Sequence, residues 1–355
     1  MAQGTGVSTY GGVLAACLPL VGMRADVLRA TPVVGRAARW AAAAWPGSAQ
    51  AVPADGGHAA MDVFRIAQVH FDLWRRVRPV RAVAPPDVMH WTYPLPLRLV
   101  GRPNVYTVHD LIPLLHQELT GINGARMRRM LQTILRHAAH VVTVSEATRE
   151  EIIAQLGVAP GHVTNTGQAV DVTGADTAPP QGLTPGTYWL HVGAVERRKN
   201  IRRLVAAWRA SGTAHALVLA GPDGWNAVEQ LAGAPPVRRI PWLPRPELLA
   251  LIRGARGLLM PSLAEGFGLP VAEAMALGTP VLTSNRGALA EVAGGAAVLI
   301  DPEDTGAIVQ GLMALDHDAD LRGRLAALGL IEARRFGRDA YAGRMRAMYA
   351  SVVGG

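Results

Sequence analysis

Apolar residues along the chain fall into two rhythms. Short continuous runs (Asn104–Val108, Val141–Val144, Tyr188–Val192, Ala216–Ala220, Gly257–Met260, Pro280–Thr283 and Ala297–Leu299) read as strands covered on both faces. Longer stretches place apolar residues three and four apart and read as helices. They are 61–78, which carries Phe64, Phe71 and Trp74, the basic stretch 125–139, the segment opened by Ser145, then Ile201–Ala210, Pro246–Gly254, Pro270–Leu277 and Asp304–Leu315. At the start, Gly4-Thr5-Gly6 reads as a glycine-rich turn into a helix. Residues 172–187 hold three Pro, three Gly and four Thr and little periodicity, so they read as a linker. Strands alternating with helices predict an α/β chain of two Rossmann-like domains, residues 1–175 and 186–335. Their parallel sheets are expected to face a central cleft at the carboxyl ends of the strands, where ligands bind in such folds.

Composition narrows this picture. Half of the 355 residues are hydrophobic and 17% are charged, which excludes a disordered chain. No run of about 18 apolar residues reads as a membrane span. The apolar run Gly11–Gly22 lacks a preceding cation and is broken by Pro19, so no secretory signal is expected. Cys17 is the only cysteine, which forbids an intrachain disulfide and suits a cytoplasmic location. The net charge is +8, and 65–136, with eleven Arg and four acids, holds nearly all of that excess. Such a stretch is either a solvated surface or a dock for anionic lipid, which would make the protein peripheral on the inner face of the plasma membrane. Aromatics do not interleave with these cations, so no nucleic-acid partner is expected. Lys199 is the only lysine among 35 basic residues. Its compact ammonium is chemically distinct from the guanidinium used everywhere else.

Three segments carry candidate chemistry. The first runs through Glu265-Gly266-Phe267-Gly268-Leu269-Pro270 to Glu273. Its glycines let the backbone approach a ligand, and the following helix start suits phosphate. Its two carboxylates either cap a plain strand–helix turn or accept bonds from sugar hydroxyls. The second, His191 to Asn200, sets Arg197, Arg198 and Lys199 before a helix. Cations at a helix start are mildly disfavoured by its dipole, and they suit a diphosphate. The third is His109, at the end of a buried strand, either a structural histidine or a group that binds or deprotonates a substrate hydroxyl.

Together these segments resemble the family 4 retaining glycosyltransferases, which have the GT-B fold. The match runs from Gly4 to about residue 350 and is densest over 188–302, through Ala272-Glu-Ala-Met-Ala-Leu-Gly-Thr-Pro-Val281 and Gly294-Gly-Ala-Ala-Val-Leu-Ile-Asp-Pro302. The resemblance implies that Arg198 and Lys199 hold the donor diphosphate and that Glu273 takes the ribose hydroxyls. It implies that Glu265 and the backbone of Phe267, Gly268 and Leu269, after Gly266, face the sugar. Ile240 and Trp242 would flank the base, Gly6 would lie near the phosphates, and His109 beside the sugar and acceptor. Residues 336–355 would form a helix packing back toward the first domain. The segments Glu196-Arg-Arg-Lys-Asn200 and Val105–Leu114 look most like mannosyltransferases that use GDP-mannose. The glycine loop begins at residue 4, so the first sheet is expected to lack a strand that the family normally has before it. Of the aromatic pair usual near Phe336, only Phe336 is present.

The expected activity is transfer of a hexose, mannose favoured, with retention. The acceptor would be a glycan or a polyprenyl-diphosphate-linked sugar, in cell-surface polysaccharide synthesis. A front-face substitution, with the cations stabilising the leaving diphosphate, needs no cofactor beyond the sugar-nucleotide donor. No Asp-x-Asp motif marks a metal at that site. Alternatives of the same fold are a protein that binds a sugar nucleotide with impaired turnover, and a sugar-nucleotide epimerase.

Overall fold

The computed structural model describes residues 6–32, 34–175, 182–225, 227–231 and 237–354, without the side chains of 6–8, 228 and 229. Two compact units emerge. One comprises Met1–Leu115, Ile122–Gly167 and Asp339–Gly355, the other His116–Gly121 and Gln168–Arg338.

The first unit opens with α1 (Gly6–Cys17), so Gly6 starts a helix, while Gly4 and Thr5 lie outside the described residues. There follow β1 (Val27–Thr31), α2 (Arg36–Ala44), β2 (Ala49–Ala54), β3 (Gly57–Met61), α3 (Val63–Trp74), β4 (Arg78–Ala82), β5 (Met89–Trp91) and β6 (Leu97–Leu99). Next come β7 (Asn104–Val108), α4 (Ile112–Leu115), α5 (Gly124–Leu135), β8 (His140–Thr143), α6 (Glu146–Leu156) and β9 (Val163–Asn165). Five strands form one sheet in the order β1-β3-β2-β4-β6, in which only β2 and β3 are antiparallel. Four form an all-parallel sheet, β5-β7-β8-β9. β7 is buried at every position because it is covered on both faces. Ser145 caps α6 by accepting from the Thr148 amide, as its place before an acidic first turn predicts.

The apolar face of α3 turns to the core, as helical spacing predicts: Phe71 is fully buried and Phe64 packs against the same core, while Trp74 is exposed. The basic stretch is also less uniform than its count suggests. Arg78 is buried, and Arg126 forms a two-bond ion pair with Asp72.

The second unit holds β10 (Tyr188–Val192), α7 (Ile201–Ala210), β11 (Ala216–Ala220), α8 (Ala227–Leu231), β12 (Arg238–Ile240), α9 (Arg245–Gly254), β13 (Gly257–Met260), α10 (Leu269–Ala276) and β14 (Val281–Ser284). Then come α11 (Gly287–Ala293), β15 (Val298–Ile300), α12 (Thr305–His317) and α13 (Ala319–Glu332). Its six strands are all parallel, in the order β12-β11-β10-β13-β14-β15. Counted along the chain that order is 3-2-1-4-5-6, with its reversal between β10 and β13. In open sheets of this kind the loops after the two strands flanking the reversal diverge and leave a crevice. Trp189, Leu204, Leu259, Leu282 and Leu312 fill the core on one face of the sheet. The last helix, α14 (Arg338–Val353), buries Tyr341, Met345 and Tyr349.

Candidate active site

The loops that diverge at the reversal follow β10 and β13. After β10 the chain passes Gly193, whose φ of 145° an L side chain rarely adopts. A Cβ there would lie 3.0 Å from Cε of Lys199, so the lysine stem packs on bare backbone. Arg197–Lys199 then form a separate 3₁₀ turn, closed by Asn200 at φ 59°. The cations thus precede α7, which begins at Ile201 as the sequence predicts, and stand just before its positive end. Asn200 ties the loops down by donating from Nδ2 to the carbonyls of Pro261 (3.0 Å) and Pro302 (2.6 Å). The Leu263 amide donates to the Arg198 carbonyl at 2.8 Å.

After β13 the chain bears Glu265 into the same place. Lys199 Nζ donates to Glu265 Oε1 at 2.5 Å, and Arg198 Nη1 to Glu265 Oε2 at 2.5 Å. Arg198 Nη1 also reaches the Ala264 carbonyl (3.1 Å), while Nη2 donates to Glu196 Oε1 at 2.6 Å. Lys199 is 7% exposed, and the Glu265 side chain 9%. Burial resists ionisation of Glu265, but Arg198 and Lys199 together overcome it and bring its pKa down to about 2. Burial lowers the pKa of Lys199, against the opposing pull of Glu265. The carboxylate expected to face a sugar is therefore engaged by the two cations expected to hold phosphate.

Gly268 ends this loop at φ 95°, where a Cβ would meet Leu289 at 2.5 Å. Glycine there turns the chain into α10, in whose first turn Pro270 has no N–H and the Val271 amide already donates to the Gly268 carbonyl at 2.9 Å, so the helix start offers an anion fewer amides than the sequence suggests. The Phe267 ring is buried, edge-on to Phe336 at 5.3 Å, so only its backbone is available to a ligand. Glu273, inside α10, is almost fully buried, and Arg245 Nη1 donates to it at 2.6 Å. Burial raises its pKa, and Arg245 counters this in part. Arg245 also donates to the Asp171 carbonyl (2.9 Å). Ile240 ends β12, with its carbonyl held by the Gly221 amide at 2.8 Å, and Trp242 beyond it is 61% exposed.

Sequence reading passed over three groups here. Arg245 stands 28 residues from Glu273, and no local pattern pairs them. Glu196 looked like part of a basic run. His191 looked like one more residue of a buried strand. It is fully buried, and its Nδ1–H donates to the Leu259 carbonyl at 2.9 Å. That fixes the lone pair on Nε2, which has no hydrogen-bond partner. Burial, then the charge of Lys199, bring its pKa down to about 4.

His109 belongs to the first unit. Its Nε2–H donates to the Thr92 carbonyl at 2.9 Å, so the neutral ring keeps its lone pair on Nδ1. Burial lowers its pKa. The Tyr10 ring meets it edge-on at 4.9 Å. Tyr10 lies within hydrogen-bond distance of Thr107 (3.1 Å), which also contacts His90 Nε2 (2.7 Å), and His90 Nδ1 reaches the Tyr349 hydroxyl of α14 (2.5 Å). His109 is therefore held by a neutral network, whereas Arg198, Lys199 and Glu265 form a charged cluster.

A parallel sheet reversed at its first strand, with two glycine-turned loops and a buried cation–carboxylate cluster there, in a chain that also carries a second α/β unit, places the protein in the GT-B class. Sucrose-phosphate synthase from Thermosynechococcus elongatus has the same fold, with a TM-score of 0.70 at 18% identity over 99% of this chain and 94% of that one. Anabaena HepE, solved in complex with UDP and glucose, gives 0.61 at 19% identity over 70% of this chain and 72% of that one. Residues 5–173 match Glycosyltransferase Family 4, and residues 186–318 match Glycosyl transferases group 1. The chain thus carries a Family 4 glycosyltransferase domain followed by a group 1 glycosyltransferase domain. It is similar to O-antigen chain mannosyltransferase B of Escherichia coli, at 31% identity over 251 residues, 65% of this chain and 66% of that protein. The chain thus spans slightly under two thirds of the length of that relative.

Proposed function

We propose that this protein transfers a hexose, mannose in the favoured case, from a sugar nucleotide to a glycan or a polyprenyl-diphosphate-linked acceptor, with retained configuration. The observation that carries the reading is the buried cluster of Arg198, Lys199 and Glu265 beside the turn into α10. Two cations beside a helix start at one strand reversal suit a diphosphate, and the same cations stabilise its charge as the glycosidic bond breaks. The likeness to an O-antigen mannosyltransferase favours mannose, hence GDP-mannose, and a role in surface polysaccharide synthesis. HepE holding UDP and glucose supports a sugar nucleotide as the ligand of this fold. In the reading, Glu273 accepts from the ribose with Arg245 as its counter-ion, Ile240 and Trp242 flank the base, and Nδ1 of His109 accepts from a sugar hydroxyl. Arg198 and Lys199 supply the charge that a divalent metal would otherwise bring. Transfer should therefore persist in EDTA.

Among the described residues no helix is long and apolar enough to cross a membrane. Peripheral contact of the first unit with an anionic bilayer, on the cytoplasmic side, belongs to the same proposal. It rests on exposed Arg65, Arg75, Arg76 and Trp74 around α3. Flotation with liposomes should increase with anionic lipid content, and indifference to that content would exclude the contact.

The test of function is a donor panel (GDP-mannose, UDP-glucose, UDP-galactose and UDP-N-acetylglucosamine) with products read by NMR. An α-linked product from an α-linked donor, formed in EDTA, is expected. Inverted product would overturn retention, and rearranged donor without acceptor would favour epimerisation.

A further inference from the structure

The four charged groups bonded to one another in this cluster balance to zero: Arg198 and Lys199 are matched by Glu265 and Glu196. A donor diphosphate brings about two further negative charges. Placed against a neutral cluster it would gain little from Coulomb attraction, so one carboxylate has to give way. The two carboxylates are not equivalent. Glu265 spends both oxygens on two different cations and is 9% exposed. The Ala264 carbonyl beside it takes the same Arg198 Nη1, so that edge of the guanidinium is committed. Glu196 offers one oxygen to Arg198 Nη2 and is 20% exposed. It sits at the start of the 3₁₀ turn, in extended backbone (φ −146°), and its side chain makes no cap bond to that turn.

We propose that Glu196 is a displaceable counter-ion, a positioning residue that holds Arg198 in register and yields the Nη2 edge to the donor diphosphate. This rests on the reading that Arg198 and Lys199 receive that diphosphate. Displacement changes the cluster from neutral to net positive on the ligand's arrival. It also sets how tightly the product is kept: when the nucleoside diphosphate leaves, Glu196 returns to Arg198 and competes with rebinding. Glu196 thus trades affinity for turnover, and its removal should move the two in opposite directions.

The experiment compares the unmutated protein with Glu196→Gln and Lys199→Ala. Titration calorimetry with GDP and with UDP gives affinity, and steady-state transfer gives donor KM and kcat. Thermal unfolding checks that each variant folds. Glu196→Gln keeps the shape and removes the charge. It should bind the nucleoside diphosphate on the order of tenfold more tightly, since like charges in contact oppose binding. Donor KM should fall and kcat should fall with it, as product release slows. Because the effect is electrostatic, the gain should shrink as salt rises, which a purely structural role would not produce. Unchanged or weaker binding in Glu196→Gln, while Lys199→Ala loses affinity, would overturn the role of Glu196 alone. Should Lys199→Ala bind GDP and UDP as well as the unmutated protein, the diphosphate reading fails and this inference fails with it.

Discussion

Around β7 in the first unit the buried polar side chains are neutral: Tyr10, His90, Thr107 and Tyr349 bond to one another, and His109 bonds to a backbone carbonyl. Around β10 and β13 in the second unit they are charged, with Lys199 and Arg198 closed on Glu265. A neutral network meets its own hydrogen-bonding needs and serves to fix positions. A charged one exacts a desolvation cost that paired hydrogen bonds offset only while every member is present. The first is a frame, whereas the second is a set of charges held ready for an anion. Perturbing the two should therefore produce different kinds of loss.

The largest effect is expected from Glu265→Ala, which leaves two cations facing one another in a buried site. Breaking a buried pair this way costs roughly 3–5 kcal/mol. Urea unfolding should register a loss of that size, and a loss near zero would mean that water already screens the cluster. Lys199→Ala comes next. It removes a group that meets the leaving diphosphate, so kcat should fall on the order of 10²–10³. Lys199→Arg should recover little, because a planar fork does not fit the stem's bed on Gly193. Tyr349→Phe breaks one bond of the neutral network and leaves His90 Nδ1 unpartnered. A stability loss of about 1–3 kcal/mol is expected, with donor affinity nearly unchanged. A large loss of donor affinity instead would show that the frame and the charges are one system.

The effect that needs no substitution lies in pH. Burial holds the folded pKa of His191 at about 4 and of His90 at about 3, below the ordinary imidazole value of 6.5. The native state therefore binds fewer protons than the unfolded one across that range. Their stabilisation is complete above about pH 6.5 and is lost as pH falls toward 4 and then 3. Glu265, with a pKa of about 2, contributes fully above its ordinary value of 4.5 and loses its contribution as pH falls toward 2. Urea midpoints should decline in two overlapping stages. His191→Phe should shrink the first, leaving the part that His90 contributes, and leave the second.

The second unit was the more legible in the sequence. Ile201–Ala210 and Ala216–Ala220 stand where their patterns put them, because a buried parallel strand is apolar throughout and its helix shows one apolar face. The five-stranded sheet of the first unit was missed. β1 and β2 are mostly exposed or half-exposed, so neither shows the continuous apolar run of a buried strand. In the site, Lys199 was legible as the only lysine and Glu265 by its glycine-flanked turn. Their contact was not, since the two loops meet only when β10 and β13 pair. Arg245 was invisible for the same reason. His191 read as part of a strand, and only its unpartnered Nε2 sets it apart.

The most direct measurement is a crystal structure of the unmutated protein soaked with GDP and, separately, with UDP. A β-phosphate oxygen is expected within about 3 Å of Lys199 Nζ, in the range of a charge-assisted hydrogen bond, with Arg198 on the same phosphate. A diphosphate bound elsewhere, with Lys199 closed on Glu265 as before, would contradict the assignment of this cluster to the donor.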